Sequence, residues 1–263
     1  MIDKIYIPTL GRVNEQTTYN NLPDKYKDIV IMVVQEHERP LYKYNVEYMV
    51  VPDDIGNSKT TDLLLRDGCK RKINFLMIDD QMVIKRRVLN YKELGLPSSW
   101  ILGEKDYDDM FELMNSWLNE GYIHCGTRKQ HIPPMNKEYI DIAALFSVSF
   151  VNGTLLSEII DDIQISIERE SEDITFIIEY LTRGYKNRQS NLFIHSKKTH
   201  KDGGCTQAGR TLNTTAEIHQ RLIKRYPNYI FLNKTKQQEG LSTVKVKWKQ
   251  AYKDSQTKSL WEI

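Results

Sequence analysis

The run Ile73-Asn74-Phe75-Leu76-Met77-Ile78 leaves a strand almost no polar face, and it stops at two adjacent carboxylates, Asp79 and Asp80. A strand of this kind has to be covered on both sides, the condition of a central strand in a sheet flanked by helices. Carboxylates at the carboxyl end of such a strand stand where open α/β sheets bind their ligands. Paired there, they can hold a divalent cation and, through it, a diphosphate, because hard cations share oxygen ligands with phosphates. The competing reading is a strand followed by a solvated acidic turn, and turns favour Asp in any case. The choice between the two depends on what else the chain brings to that edge.

The first half alternates apolar runs with helical patterns, which predicts βαβ units on a mostly parallel sheet. Lys4 to Pro8 reads as a first strand, broken by Pro8-Thr9-Leu10-Gly11. Ile29 to Val34 is a second, rich in β-branched residues, and Val46 to Val51 a third, closed by Pro52. Thr60 to Arg66, with Leu63, Leu64 and Leu65, predicts a short crossover helix ahead of the strand that ends at Asp79. Met110, Phe111, Met114, Trp117 and Leu118 recur at helical spacing over 106–120, with Gly121 placed to cap the end. A strand from Tyr122 to Cys125 and a β-rich stretch from Tyr139 to Phe150 follow. Ser171 is placed to cap a helix opening at Glu172-Asp173 and ending at Gly184. Thr214 and Glu217 have capping-box spacing for a helix running to Arg225 and stopped by Pro227. Val244, Val246 and Trp248 alternate with Lys245, Lys247 and Lys249, which predicts a strand with one apolar and one lysine face.

Charge is distributed unevenly. Residues 182–263 hold 17 Lys or Arg against 5 Asp or Glu, a net of +12, whereas residues 1–181 hold 20 against 30, a net of −10. A cationic third on an acidic body attracts polyanions, although a basic segment can also be merely solvating. The three cysteines, Cys69, Cys125 and Cys205, are odd in number and lack metal-ligand spacing, which fits a reducing cytoplasm. The amino terminus enters a strand-like segment without the basic region and apolar core of a signal peptide, and no run reaches the roughly 18 apolar residues needed to span a bilayer.

Several polar clusters fall at strand ends or helix starts. They are Pro8-Thr9-Leu10-Gly11-Arg12, Gln35-Glu36-His37-Glu38, Gly56-Asn57-Ser58-Lys59-Thr60 and Asp79-Asp80. In a parallel sheet the carboxyl ends share one edge, so these clusters should converge on one crevice. Thr9, Gly11 and Arg12 would suit a base and ribose, and Lys59 a phosphate as a point charge. Glu172-Asp173 opens a helix. It is either an ordinary acidic first turn, stabilised by the helix dipole, or a general base that takes a proton from an attacking hydroxyl. Asp202-Gly203-Gly204-Cys205 with Arg210, flanked by His195 and His200, is a glycine-permitted loop that allows close backbone approach to a phosphate or sugar. A histidine there could complete a metal shell, although a lone histidine usually does not.

These residues resemble the TET/JBP-associated glycosyltransferases, a GT-A-like group found in bacteriophages and some eukaryotes and linked to sugar addition on modified DNA bases. The resemblance runs through Ile7 to Arg12, Val34 to Glu38 with Tyr42, Val51 to Thr61, and Met77 to Asp80. It continues in Glu172-Asp173 with Leu181 to Lys186, and in Gly203-Gly204-Cys205 with Arg210-Thr211. It implies an α/β fold, a GT-A-like Rossmann-type mixed sheet, as one domain over 1–263. Residues 1–125 would form a nucleotide-sugar-binding half, and 126–263 an acceptor-binding half with the basic last third.

The donor, a UDP-sugar or related nucleotide sugar, would be held by Pro8, Thr9, Gly11, Arg12, Glu36, Asn57, Lys59, Asp79, Asp80, Gly204 and Arg210. A divalent metal, Mn2+ or Mg2+, would fall to Asp80 and Asp79 with His195. Asp173 would be the base, with Glu172 as its alternate. Two departures stand out. Gln81 occupies the place of the family's third carboxylate, so metal use either lapses or falls to Asp80. Thr61 replaces the arginine usual after the crossover helix start, leaving phosphate contact to Lys59 or to the basic third.

The implied activity is a bacteriophage DNA glycosyltransferase in the host cytoplasm, acting on the hydroxyl of a hydroxymethylated pyrimidine or on a sugar already there. Duplex DNA would be held through its phosphates by Lys197, Lys198, Lys245, Lys247 and Lys249, contacts that position without reading sequence, with no membrane partner. Two alternatives stay open: a GT-A enzyme acting on a small molecule, glycan or protein, and an inactive module that binds modified DNA.

Overall fold

The computed structural model describes residues 1–198, 211–233 and 243–259. The chain begins with strand β1 (Lys4–Pro8), the short helices α1 (Thr17–Asn21) and α2 (Asp24–Lys27), β2 (Val30–Gln35) and β3 (Glu47–Val51). Helix α3 (Asn57–Arg71) then leads to β4 (Asn74–Ile78), β5 (Met82–Arg87), α4 (Tyr91–Leu94) and β6 (Ser99–Ile101). Next come α5 (Glu104–Asn119), β7 (His124–Lys129), β8 (Tyr139–Asp141), β9 (Val148–Asn152), α6 (Gly153–Leu156), α7 (Glu172–Leu181) and β10 (Asn187–Lys197). The last third contributes α8 (Leu212–Arg225), β11 (Ile230–Leu232), β12 (Val244–Val246) and α9 (Trp248–Ser259).

One ten-stranded sheet organises the described residues, in the order β3-β2-β1-β4-β9-β7-β10-β5-β6, with β8 also on β10. β3, β2, β1 and β4 run parallel, as the alternation of apolar runs predicts. Every residue of β2 is buried, because helices cover both faces. β9 is antiparallel to both β4 and β7, so β7 and its parallel neighbour β10 point the same way as β4. The carboxyl ends of β1, β2, β4, β7 and β10 therefore share one edge. This is the Rossmann-type mixed α/β sheet that the resemblance implies. The boundary drawn between 125 and 126 falls inside β7, a central strand.

Two apolar layers flank the sheet. On one face α5 buries Met110, Phe111, Met114 and Leu118 against Leu76, Ile78, Phe150 and Phe193. On the other, α3, α6 and α7 bury Leu64, Leu65, Leu156, Phe176, Ile177 and Tyr180 against Tyr6, Phe75 and Val151. Gly68 permits the close approach of α3 to the sheet, since a Cβ there would stand 2.1 Å from the Phe75 ring.

Several elements differ from the sequence expectation. The crossover helix spans Asn57–Arg71, well beyond the leucine run, because polar residues at both ends extend it over the sheet edge. The strand expected at Tyr122–Cys125 starts two residues later and runs to Lys129. Ser171 holds the N-cap position of α7, yet its φ is +72° and its side chain makes no capping bond. The cap of α8 is Thr211, whose side chain accepts from the Thr214 backbone N–H, so Thr214 lies inside the helix. The lysine-faced strand is also shorter than its alternation suggests. β12 stops at Val246, and Trp248 and Lys249 already belong to α9, because β12 has only the three-residue β11 to pair with.

Candidate active site

The loop after β1 folds back onto the end of β4. Asp80 is 2% exposed. One of its oxygens accepts from Thr9 Oγ1 at 2.8 Å and the other from Arg12 Nη1 at 2.7 Å. Gln16 Nε2 donates to Thr9 Oγ1 at 2.8 Å and to the Arg12 carbonyl at 2.9 Å, and the Tyr42 hydroxyl lies 3.2 Å from Thr9 Oγ1. The Gln81 carboxamide, oriented to satisfy both its ends, accepts from Arg12 Nε at 2.8 Å and donates to the Lys198 carbonyl at 2.9 Å. Burial pushes the Asp80 carboxyl above its ordinary range, and Arg12 and Thr9 draw it partly back. Asp80 and Arg12 thus hold the strand end to the loop. Glu38 completes the clasp by accepting from the Gly11 backbone N–H at 2.7 Å.

Asp79 faces the other way. Its side chain is 38% exposed, and Lys197 Nζ at the end of β10 stands 3.6 Å from it. Thr18 on α1 steadies this turn. It donates to the Asp79 carbonyl, accepts from the Met82 N–H at 2.8 Å, and its own N–H reaches the Asp80 carbonyl at 3.0 Å. With both adjacent backbones pinned, strand alternation sends one carboxylate inward and the other into the crevice.

Across the crevice, the amino-terminal ends of α3 and α7 meet. Asn57 Nδ2 donates to Glu172 Oε1, and Ser58 Oγ donates to Glu172 Oε2 at 3.3 Å. Gly56 allows this contact: its φ is +83°, and a Cβ would lie 2.8 Å from Arg169 Cγ. Desolvation raises the Glu172 carboxyl well above its ordinary range, and the negative charges of Asp173 and then Asp79 push the same way. Asp173 accepts from the Ile174 N–H at 2.7 Å. Three non-glycine residues bordering this edge, Asp54, Ser147 and Ser171, have positive φ. Such backbone is costly and gathers where a site must be held in one shape.

The expected residues do not all reach this place. Thr9, Arg12, Asp79, Asp80, Asn57, Glu172 and Asp173 converge, with Lys197 and Lys198 on the rim. Lys59 is exposed on the first turn of α3, and Glu36 is exposed beside the His37–Asp53 pair (2.7 Å), which ties the loops after β2 and β3 together. His195 is a correction. It lies on the α5 face of the sheet, opposite Asp79, with Nδ1 2.7 Å from Thr127 Oγ1, and burial pushes it down to about 4. Its ring is buried, 4% exposed, and held by Thr127, so it does not open into the crevice beside Asp79.

Lys245 on β12, Lys247 just after it and Lys249 on α9 are exposed, while Val244 and Val246 of β12 pack against Ile178 and Ile174 of α7 and Ile218 and Leu222 of α8. Gly204, Arg210, His200 and the Asp202–Cys205 loop lie outside the described residues. Sequence reasoning singles out neither Gln16 nor Thr18, and it meets Ser58 only within its polar cluster. These three lie among ordinary polar turn residues, and only the fold gives them partners.

The donor set does not make a protein-held metal centre. Both Asp80 oxygens are engaged, Gln81 is neutral and engaged, and no group of three His, Cys, Asp or Glu side chains among the described residues could hold a metal. No helix among the described residues is long and apolar enough to cross a membrane.

The family model described as TET-Associated Glycosyltransferase matches residues 3–204. The chain belongs to this family. The matched segment contains every carboxylate named in this crevice and ends beyond β10. Among solved structures, the crystal structure of A197 from STIV is similar at 11% identity over 76% of this chain and 87% of that one, with a TM-score of 0.41. No curated protein matches. Membership makes the chain a glycosyltransferase, and the crevice at the carboxyl edge is its candidate active site.

Proposed function

We propose that this glycosyltransferase moves a sugar from a nucleotide-diphosphate donor, a UDP-sugar, to the hydroxyl of a hydroxymethylated pyrimidine in DNA, or to a sugar already on that base. The observation that carries the reading is the meeting of Glu172-Asp173 with Asp79 at the edge where the Pro8–Arg12 loop is clasped. In this reading the nucleoside lies along the loop formed by Pro8, Thr9, Gly11 and Arg12, with Asn57 beside it. The acceptor O–H gives its proton to Asp173 as its oxygen bonds the anomeric carbon. The diphosphate leaves with the electron pair of the broken C–O bond. Glu172, whose carboxyl is raised, carries the shared proton of the acidic pair and leaves Asp173 as the charged member.

Charge balance constrains the rest. A diphosphate leaving beside Asp79 needs positive charge, which Lys197 and Lys59 can supply as point charges. A divalent cation, Mn2+ or Mg2+, would have Asp79 as its ligand from the strand-end pair, and no step here is routed through it. An acceptor base must also leave the duplex stack, or be reached from the major groove; Lys197 and Lys198 on the rim suit the phosphates flanking such a base.

The test is direct. The purified chain is incubated with a panel of nucleotide sugars and DNA bearing hydroxymethylated pyrimidines, and the released nucleosides are weighed by mass spectrometry. A hexose or pentose mass increment on the modified base is expected. Transfer only to a small molecule, glycan or protein would replace the acceptor assignment. Nucleotide-sugar binding without transfer to any acceptor would favour an inactive DNA-binding module, a reading that draws on Gln81 and the full engagement of Asp80.

A further inference from the structure

Among the described residues three arginines keep less than a tenth of their surface exposed: Arg87 at 7%, Arg128 at 8% and Arg188 at 8%. Two of them have partners for their donors, and only Arg188 also has a carboxylate. Arg188 pairs with Asp141 at 2.7 Å and lies over the rings of Tyr122 and Tyr139. Arg87 donates to Asn191 Oδ1 at 2.7 Å and to the carbonyls of Gln130 and Ile132. Arg128 differs. Its Nε and Nη1 are enclosed and have no hydrogen-bond partner, and it is bridged to no carboxylate among the described residues. The neighbouring Arg87 adds a like charge. A guanidinium stays protonated in proteins, and a buried charge with no partner is strongly unfavourable. Buried donors in native folds are otherwise almost always paired.

The fold places this cation in the crevice. Met77 on β4 pairs with Ser149 on β9, which pairs with Gly126 on β7, forming one row across three strands. Met77 packs into the apolar layer beneath α7. His124, on the same face of β7 as Gly126, bonds the Tyr180 hydroxyl of α7 at 3.1 Å. Two residues further along each strand bring Asp79 and Arg128 into the next row on that face. They lie two strand spacings apart, about 10 Å. Arg128 thus stands on the α7 side of the carboxyl edge, beyond Asp79 on the acceptor half.

We propose that Arg128 is a phosphate-binding residue of the crevice, its unpartnered Nε and Nη1 taking phosphate oxygens of the bound ligand. A planar guanidinium suits phosphate oxygens, which it can meet with two parallel N–H donors. The anion site stands on burial and register alone. Its two candidate sources, the donor diphosphate and the backbone of a nucleic-acid acceptor, rest on the sugar-transfer reading.

Binding measured without turnover separates the two questions. The full chain is titrated with uridine diphosphate and, separately, with a short DNA duplex, alongside Arg128→Gln. The variant is expected to lose roughly tenfold or more in affinity for one probe and to keep wild-type affinity for the other, which names the source. Its unliganded melting temperature should equal or exceed wild type, because an uncompensated charge has been removed. Wild-type affinity for both probes, or a lowered unliganded melting temperature with unchanged affinities, would overturn the assignment in favour of a structural role. Should Arg128→Gln fail to fold, Arg128→Lys keeps the charge and loses the planar fork. Weakened binding of one probe supports the proposal, and wild-type binding of both overturns it. Loss of anion affinity in the variant, in a protein that transfers no sugar, would leave Arg128 assigned and remove the sugar-transfer reading.

Discussion

Asp79 and Asp80 are consecutive carboxylates on one strand end, and they occupy opposite electrostatic regimes. Around Asp80 every charge is answered: Arg12 and Thr9 take its two oxygens, and Gln81 takes another Arg12 nitrogen. Around Asp79 charge accumulates, with the adjacent Glu172 and Asp173 facing it across the crevice and Lys197 at 3.6 Å. A satisfied pair holds a shape, whereas an unsatisfied cluster is poised for a ligand that brings or moves charge. A carboxylate motif at a strand end is therefore not one functional unit, and the two residues should fail in different ways when replaced.

The largest effect expected is on turnover. Asp173→Asn should lower the rate by about 10²–10⁴ while nucleotide affinity, read by calorimetry, stays nearly intact. A parallel loss of nucleotide affinity would move Asp173 into the donor pocket and end its role as base.

Replacing Asp80 tests the closed side of the comparison. Asp80→Ala removes the buried carboxylate that Arg12 and Thr9 hold, and removing one partner of a buried pair costs about 3–5 kcal/mol of stability. Asp79→Ala breaks only a partly exposed ion pair, worth about 0–1 kcal/mol, and should spend its effect on turnover. Denaturant titration of both variants decides the point. Equal losses of stability would erase the distinction between the two carboxylates.

A smaller effect lies in pH. Glu172 is held above its ordinary value of 4.5 in the folded chain, so folding retains a proton that the unfolded chain releases. Stability from this group is present at low pH and is lost as pH rises from the unfolded value toward the raised folded one. Glu172→Gln should therefore melt about 2–4 °C above wild type at pH 8, and the two should converge near pH 4. A variant that melts lower at pH 8 would mean that the Asn57 and Ser58 bonds outweigh the charge repulsion.

The smallest expected effect concerns the lysines. If DNA is the acceptor, replacing Lys197 and Lys198 by Gln should reduce the slope of log affinity against log salt by up to about 0.9 for each phosphate no longer neutralised. Replacing Lys245, Lys247 and Lys249, which sit on and just after β12, should change the slope less. A larger change from the outer three would run the DNA path over β12 and α9 instead of the crevice rim.

Local signals carried much of this architecture. β2 and β4 were legible because a strand covered on both faces must be apolar on both, and α5 and α7 because their buried positions recur at helical spacing. The convergence of the Pro8–Arg12, Gln35–Glu38, Asn57–Ser58 and Asp79–Asp80 clusters followed from parallel strands sharing a carboxyl edge, whereas Glu172–Asp173 reaches that edge only through the packing of α7. Short-range pattern misled where neighbours decide. The alternation through Lys249 suggested a strand, but β12 ends where its partner does. Ser171 read as a cap, yet a left-handed backbone turns its side chain away from that task.

What the sequence determined by itself was the βαβ order of the first half through β4, the edge on which its polar loops gather and the residue types found there, since these depend on periodicity and on residues close in the chain. β5, β6 and the central strand β10 were not among the elements it predicted. Which carboxylate is closed and which open, which face His195 takes, and that Nε and Nη1 of Arg128 are buried without a partner among the described residues were decided by tertiary structure alone. Each depends on groups distant in sequence that meet only across strands. Pairing and desolvation are set by those meetings, and no local pattern records them.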